Sequence, residues 1–144
     1  MPKSTPTCNS VVNLMYRATA WANVADNAAS SPLTNVYVAL HTGNLTAATN
    51  SQAENETAYT NYARKAVARS TGWNAASGGA TANAATISFD QCGVTGATLT
   101  HVSTGTTASG ATPVWHYGAL NSSLAVANGI TPQFAAGALT VTES

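Results

Sequence analysis

"NVYVALHTG", residues 35–43, is the stretch on which the reading of the fold turns. Val36, Val38 and Leu40 alternate with Tyr37, Ala39 and His41. That period of two suits a half-buried strand and not a helix, which repeats about every 3.6 residues. Thr42 and Gly43 end the run, and the alternation sets His41 on the less apolar face, at the strand end, where exposure is expected. Upstream the period is different. From Ser10, a suitable N-cap, the residues Val11, Leu14, Met15, Ala18, Trp21, Ala22 and Ala25 recur at helical spacing and predict an amphipathic helix over 10–26. Asn27, Ser30, Ser31 and Pro32 then break that pattern, and the change to a period of two marks the start of an all-β region.

Further strands follow from the same alternation. "YARKAVAR" (62–69) carries charges on both faces, a device of edge strands against unwanted pairing. "ATISF" turns Ile87 and Phe89 inward, "ATLTHVS" alternates threonine with apolar residues, and "PVWHYGAL", "SSLAVANGI" and "AAGALTVTE" supply the remaining segments, with "ANG" as a turn. Residues 42–58 lack an aliphatic repeat and read as a long polar loop. Roughly seven or eight short strands at this spacing predict a mainly β chain, a β-sandwich with the jelly roll as the favoured version. The expected organisation is an extended N-terminal arm over 1–9, "MPKSTPTCN", and a single domain over 10–144 that includes the helix.

Composition narrows the function classes. Five Lys and Arg against five Asp and Glu, 7% of the 144 residues in all, leave no basic field for a phosphate backbone, so a nucleic-acid partner is not expected. More than half of the chain is Ala, Thr, Ser and Asn, which gives a neutral, hydroxyl-rich surface that associates readily. No apolar run approaches the roughly 20 residues that cross a bilayer, and no secretory leader is evident, so a soluble chain without a membrane partner is expected. Cys8 and Cys92 match no metal spacing and are expected to be free thiols in a reducing cytoplasm.

The chemistry-bearing residues argue against catalysis. His41, His101 and His116 lie in no nucleophile motif, and Asp26 and Asp90 are the only aspartates. His101 and His116, if they faced each other on neighbouring strands, would still lack a third ligand at a metal spacing. "GTTASGAT" (105–112) imitates a phosphate loop but has Ala111 in place of the lysine, and a glycine-rich hairpin is the better reading. Glu54 and Glu56, two apart in a polar loop, point opposite ways and read as solvated acids rather than a glycosidase pair. The sequons "NLT", "NET" and "NSS" are chance products of the composition. No enzyme activity, cofactor or metal is expected. Trp21, Trp73 and Trp115 read as core or interface anchors; Trp73, with Lys3, Arg64 and Lys65, forms the set of candidate partner contacts.

The ordered segments "VVNLMYRATAW", "NVYVALHTGN" and "YTNYARKAVAR", followed by "HVSTGTTASG" and the closing "GITPQFAAGALTVTE", resemble small virion proteins of tailed bacteriophages, those labelled as tail-fibre or capsid decoration proteins. The resemblance runs over most of the chain, implies that His41 belongs to a strand-end signature, and brings no catalytic residue with it. It implies a structural role in the virion, assembled in the host cytoplasm. A compact sandwich without coiled-coil heptads or repeats favours a capsid cement protein on the capsid surface. Such a protein would bind the major capsid protein and itself, as a dimer or trimer, and would stabilise the shell by mass action. The alternative is a tail-fibre or tail-associated protein that binds a receptor or glycan.

Overall fold

The computed structural model describes residues 2–28, 31–46 and 51–144. The expectations for Ser30 and for residues 47–50 of the polar loop lie outside the described residues. In chain order the elements are α1 (Thr5–Arg17), β1 (Asn35–His41), β2 (Lys65–Ala68), β3 (Ala80–Ala82), β4 (Ile87–Ser88), β5 (Ala97–Gly105), β6 (Val114–Val126), β7 (Gln133–Phe134) and β8 (Thr140–Thr142). The chain is mainly β with one short N-terminal helix, as the periodicities imply. The strands form a four-stranded sheet in the order β2-β1-β5-β6 and two ribbons, β3-β8 and β4-β7. By contacts the chain divides into two compact units, one of Met1–Asn35, Val67–Ile87 and Phe134–Ser144, the other of Val36–Ala66 and Ser88–Gln133.

The first unit is organised by α1, which starts five residues before Ser10 and ends well before residue 26. Thr5–Asn9, expected as part of an extended arm, is therefore helix. Pro6 sits in the first turn, where its missing N–H costs nothing and its fixed φ suits the helix. The buried stripe is Cys8, Val12 and Tyr16, each four residues on from the last. Ala18 adopts the left-handed conformation (φ 54°, ψ 26°) and closes the helix onto the Asn13 carbonyl. Trp21 consequently lies not on a helical stripe but in a small turn in which the Val24 and Ala25 amides donate to its carbonyl.

Polar groups on α1 then hold the loop that precedes β3. Asn9 Oδ1 accepts from the Gly79 amide at 2.6 Å and Asn13 Oδ1 from the Ala76 amide at 2.9 Å. Gly79 has to be glycine twice over: its φ is +80°, and a Cβ would stand 2.9 Å from the Glu143 carbonyl oxygen. Beneath the helix Tyr16 meets Trp73 edge to face, with ring centroids 4.7 Å apart, an arrangement that adds about 0.5–1.5 kcal/mol to the area the rings bury. Asn83, fully buried, donates to the carbonyls of Ala85 and Ala135 and accepts from the Leu139 amide, tying the segment after β3 to the one that leads into β8.

In the second unit β1 and β5 pair antiparallel, Tyr37 opposite Gly105, Leu40 opposite Val102 and His41 opposite His101. β1 is interior to the sheet and buried without interruption from Val38 to His41. A strand covered on both faces loses the simple rule that alternate residues face solvent. His41 is therefore 0% exposed, a correction to its expected surface position. Ile87 and Phe89 are buried, as the alternation of "ATISF" implies. "PVWHYGAL" and "SSLAV", expected as separate strands, are one strand, β6, of 13 residues. Between the pairs Leu99–Leu124 and His101–Ala119, β5 advances two positions (101 − 99) while β6 advances five (124 − 119). Leu120–Ser123 therefore stand together opposite Thr100 alone and form a large bulge, whose polar "NSS" imitates a loop in the sequence. The hairpin expected at 105–112 does join β5 to β6, and the "ANG" turn does close on itself, the Ile130 amide donating to the Ala127 carbonyl at 3.0 Å. Cys8 and Cys92 are both free and both buried, one in each unit.

Candidate functional site

Within the second unit the chemistry-bearing side chains converge on one buried polar cluster: His41 from the end of β1, Ser103 from β5, Gln52 and Glu56 from the segment after β1, and Tyr62 and Arg64 just ahead of β2. The carbonyl of Glu54 can only accept, so at 2.8 Å it fixes the proton of His41 on Nδ1. Nε2 then accepts from the Ser103 hydroxyl, also at 2.8 Å, and Ser103 Oγ in turn accepts from Gln52 Nε2 at 3.2 Å. Burial pushes the His41 imidazole below its usual 6.5, outweighing the Glu54 hydrogen bond and the Glu56 charge, which pull the other way.

Arg64 completes the cluster. Its Nε and Nη2 make a fork on the two oxygens of Glu56, each at 2.7 Å. Nη1 donates to Gln52 Oε1, Thr107 O and Thr112 Oγ1, all at 3.2 Å, and Nη2 reaches the Gly110 carbonyl at 2.8 Å. A guanidinium has five N–H donors, and these acceptors occupy all of them. Tyr62 donates its hydroxyl to Glu56 at 2.9 Å while accepting from the Leu40 amide, and burial raises its phenol above the usual 10.0. The cluster therefore clasps the β5–β6 hairpin loop onto the segment after β1. Gly105 belongs to the same fit, because a Cβ there would stand 2.2 Å from Gln52 Oε1.

A serine hydroxyl on a histidine whose other nitrogen is oriented by an acceptor is the arrangement of an activated nucleophile. Here it is sealed: Ser103 is 1% exposed and His41 0%, and the hydroxyl is engaged by both His41 and Gln52. Register also separates the other histidines, with His101 opposite His41 and Ala119, and His116 opposite Thr104, so His101 and His116 do not face each other. Glu54 and Glu56 are not simply solvated acids. Glu54 accepts from the Thr46 amide at 3.1 Å, and Glu56 is held by Arg64.

The four candidate partner contacts are not brought together. Arg64, its side chain 1% exposed and every donor used, has nothing left to offer a partner. Trp73 is fully buried against Tyr16, which removes it from any surface; its indole N–H has no hydrogen-bond partner among the described residues. Lys65 is half-buried and donates to Asp90 at 2.7 Å, and Lys3, on the exterior, pairs with Glu143. Sequence reasoning missed Gln52, Glu56, Tyr62 and Ser103. One signal was present: in a chain with five cations, two of them flank a strand of four residues, and charges that scarce are seldom idle.

Outside the cluster, the accessible surface of this unit is marked by apolar side chains: Tyr117 and Leu124 on β6, Val94 before β5, and Ile130 after the turn. Among the described residues no helix is long and apolar enough to cross a membrane. No curated protein matches the chain. A family model does, that of the podophage GP4 fiber I protein gp80, and it matches residues 3–142, so that the second unit with the whole of the buried cluster, and all but the first two and last two residues of the first unit, fall inside it. The protein is thus a structural component of a phage virion, and the chain belongs to the podophage GP4 fiber I protein gp80 family.

Proposed function

We propose that this chain is a non-enzymatic subunit of a virion fibre. The family's description, matched over nearly the whole chain, carries the reading. It moves the balance from the capsid cement role, favoured within the resemblance for a compact, repeat-free sandwich, to the tail-fibre alternative. Its neighbours are then other fibre subunits rather than the major capsid protein. The molecule's chemistry is consistent with that role: the Ser103–His41 contact is locked into the core, and scarce charges such as Arg64 and Glu56 are used to hold loops in place.

A fibre subunit has to keep its shape under load and present a constant surface to its neighbours. The Arg64 clasp serves the first need by binding hairpin carbonyls that would otherwise depend on water. The neutral, hydroxyl-rich exterior serves the second, because copies meet without like-charge repulsion. Gold labelling of a C-terminally tagged chain in purified virions tests the reading. Label on fibres is the expected result; label spread over the head would return the chain to the capsid cement role.

A further inference from the structure

The side chains around His41 form a hydrogen-bond chain whose direction is settled at every link. Gln52 Nε2 donates at 3.1 Å to the Tyr37 carbonyl, which can only accept, and Gln52 Oε1 accepts at 3.2 Å from Arg64 Nη1, which can only donate. The Gln52 amide is thus oriented from both ends, and its second Nε2 proton goes to Ser103 Oγ. Ser103 gives its own proton to His41 Nε2, and the Glu54 carbonyl holds the imidazole proton on Nδ1. All three side chains are buried, so solvent cannot repair a mismatch in the chain. A proton added to His41 enters at Nε2 and points at the Ser103 oxygen. That oxygen then faces two donors, and its own proton has no second acceptor among the described residues. The charge is no better placed. Glu56 favours it, but the Glu56 oxygens are taken by Arg64 and Tyr62, and the Glu54 carboxylate is turned to Thr46. Arg64 and His101, the latter opposite on β5, oppose it, and β6 brings only Tyr117, opposite Ser103.

The groups that would be mismatched are also those that hold the segment 51–57. The Gln52 amide donates to the Thr112 carbonyl, the Thr57 amide to the Leu40 carbonyl and the Thr42 amide to the Asn55 carbonyl, each at 2.9 Å, so the segment is stitched to the end of β1 on one side and to the β5–β6 loop on the other. Its inner contacts are the Glu54 carbonyl on His41 and Gln52 on Ser103. We infer that His41 is the pin of an acid-sensitive latch: neutral, it locks residues 51–57 between β1 and the β5–β6 loop, and on taking up a proton it releases them while the β1–β5 ladder stays paired. The closed latch and the charged imidazole exclude each other, so proton uptake and opening are linked. The lowering of the His41 pKa by burial has the sign this requires: the closed form is at full strength above the open-state value of about 6.5 and weakens as pH falls toward the folded one. The latch is a property of the chain itself and does not depend on the fibre reading.

The test is amide hydrogen exchange of the full chain from about pH 7.5 to about pH 5, corrected for intrinsic rates, with the imidazole nitrogens read by NMR on the same samples. The Thr42, Gln52 and Thr57 amides are expected to share one opening constant, larger than that of the β1–β5 ladder at every pH. That constant should rise about ten-fold for each pH unit below about 6.5, the slope of one proton, until the folded His41 value is reached. At neutral pH the His41 proton should be found on Nδ1. His41→Gln, which offers a donor and an acceptor but does not titrate in this range, should flatten the rise. Opening of the three amides only together with the ladder makes the event global unfolding and overturns the latch. A slope that survives His41→Gln, and so belongs to His101 or to a carboxylate, also overturns it, as does a His41 proton on Nε2, which reverses the chain. If the variant fails to fold, the tautomer and the wild-type profile decide.

Discussion

Arg64 and Arg69 stand at the two ends of β2, both buried, and they solve the same physical problem in different ways. Arg64, in the second unit, is neutralised by a formal charge, the Glu56 carboxylate in its fork. Arg69, in the first, has no carboxylate among its partners: it donates to the carbonyls of Leu14, Met15 and Leu33 and to Asn27 Oδ1. Leu14 and Met15 are in the last turn of α1, where the unpaired carbonyls gather the negative end of the helix dipole. Burial accordingly lowers the Arg69 pKa from its usual 12.5. The comparison teaches that a neutral-looking chain can bury cations on oriented peptide groups as well as on acids. It also shows where the molecule is brittle, because of these two arginines only Arg64 would leave an anion behind on removal.

The largest effect is therefore expected from Arg64→Ala, which strands Glu56 and leaves Gln52 and the Thr107 and Gly110 carbonyls without their donor. A loss of about 3–5 kcal/mol is expected, read from the urea midpoint at constant slope. Arg64→Lys should rescue little, since a point charge cannot fill a five-donor fork. Arg69→Ala removes charge-assisted hydrogen bonds but orphans no charge, so a smaller loss of about 1.5–3 kcal/mol is expected in the same assay. Arg69→Lys should recover a substantial part of it, because a lone ammonium still suits a helix C-terminus. Equal losses for the two alanine variants would break the comparison.

Acid probes the Arg64 cluster from its other side. The His41 pKa is lowered in the folded chain, so its contribution to stability is fully present above the unfolded value of about 6.5 and is lost as pH falls through the folded one. Unfolding midpoints should drop over that window, and His41→Gln should flatten the drop. In base the sign reverses for Tyr59, raised from 10.0 to about 12 by burial and the Asp90 charge. Its contribution is present below 10 and is lost between 10 and about 12, a loss that Tyr59→Phe should remove. The smallest effect is expected for Lys65→Ala, whose partner Asp90 is about half exposed: about 0.2–1 kcal/mol, screened by added salt.

What the sequence made legible follows the range of the signal. Local alternation located β1 and β5, and the charges of "YARKAVAR" marked β2 as an edge, which the sheet order bears out. The helix was placed too late because an alanine-rich segment offers several equivalent stripes, and the choice among them was made by Trp73 packing on Tyr16 from far along the chain. The burial of His41 was hidden for the same reason. Its strand-end position is local, whereas Gln52 and Ser103, which enclose it, are 11 and 62 residues away and belong to no spacing rule. The bulge in β6 disguised one long strand as two, because looped-out residues carry the composition of a turn.

The placement of the two free thiols has a practical consequence. A buried cysteine reacts with a thiol reagent only when the structure around it opens, and it then reports the frequency of that opening. Cys8 lies on the buried stripe of α1 in the first unit, and Cys92 in the second, where its sulfur lies 3.4 Å from the carbonyls of Gly93 and Thr95. The natural sequence thus carries one chemical clock in each unit. Pulse labelling of the unmodified protein, read residue by residue in a mass spectrometer, would time the breathing of α1 in the first unit and of the segment around Cys92 in the second separately, without a single engineered substitution.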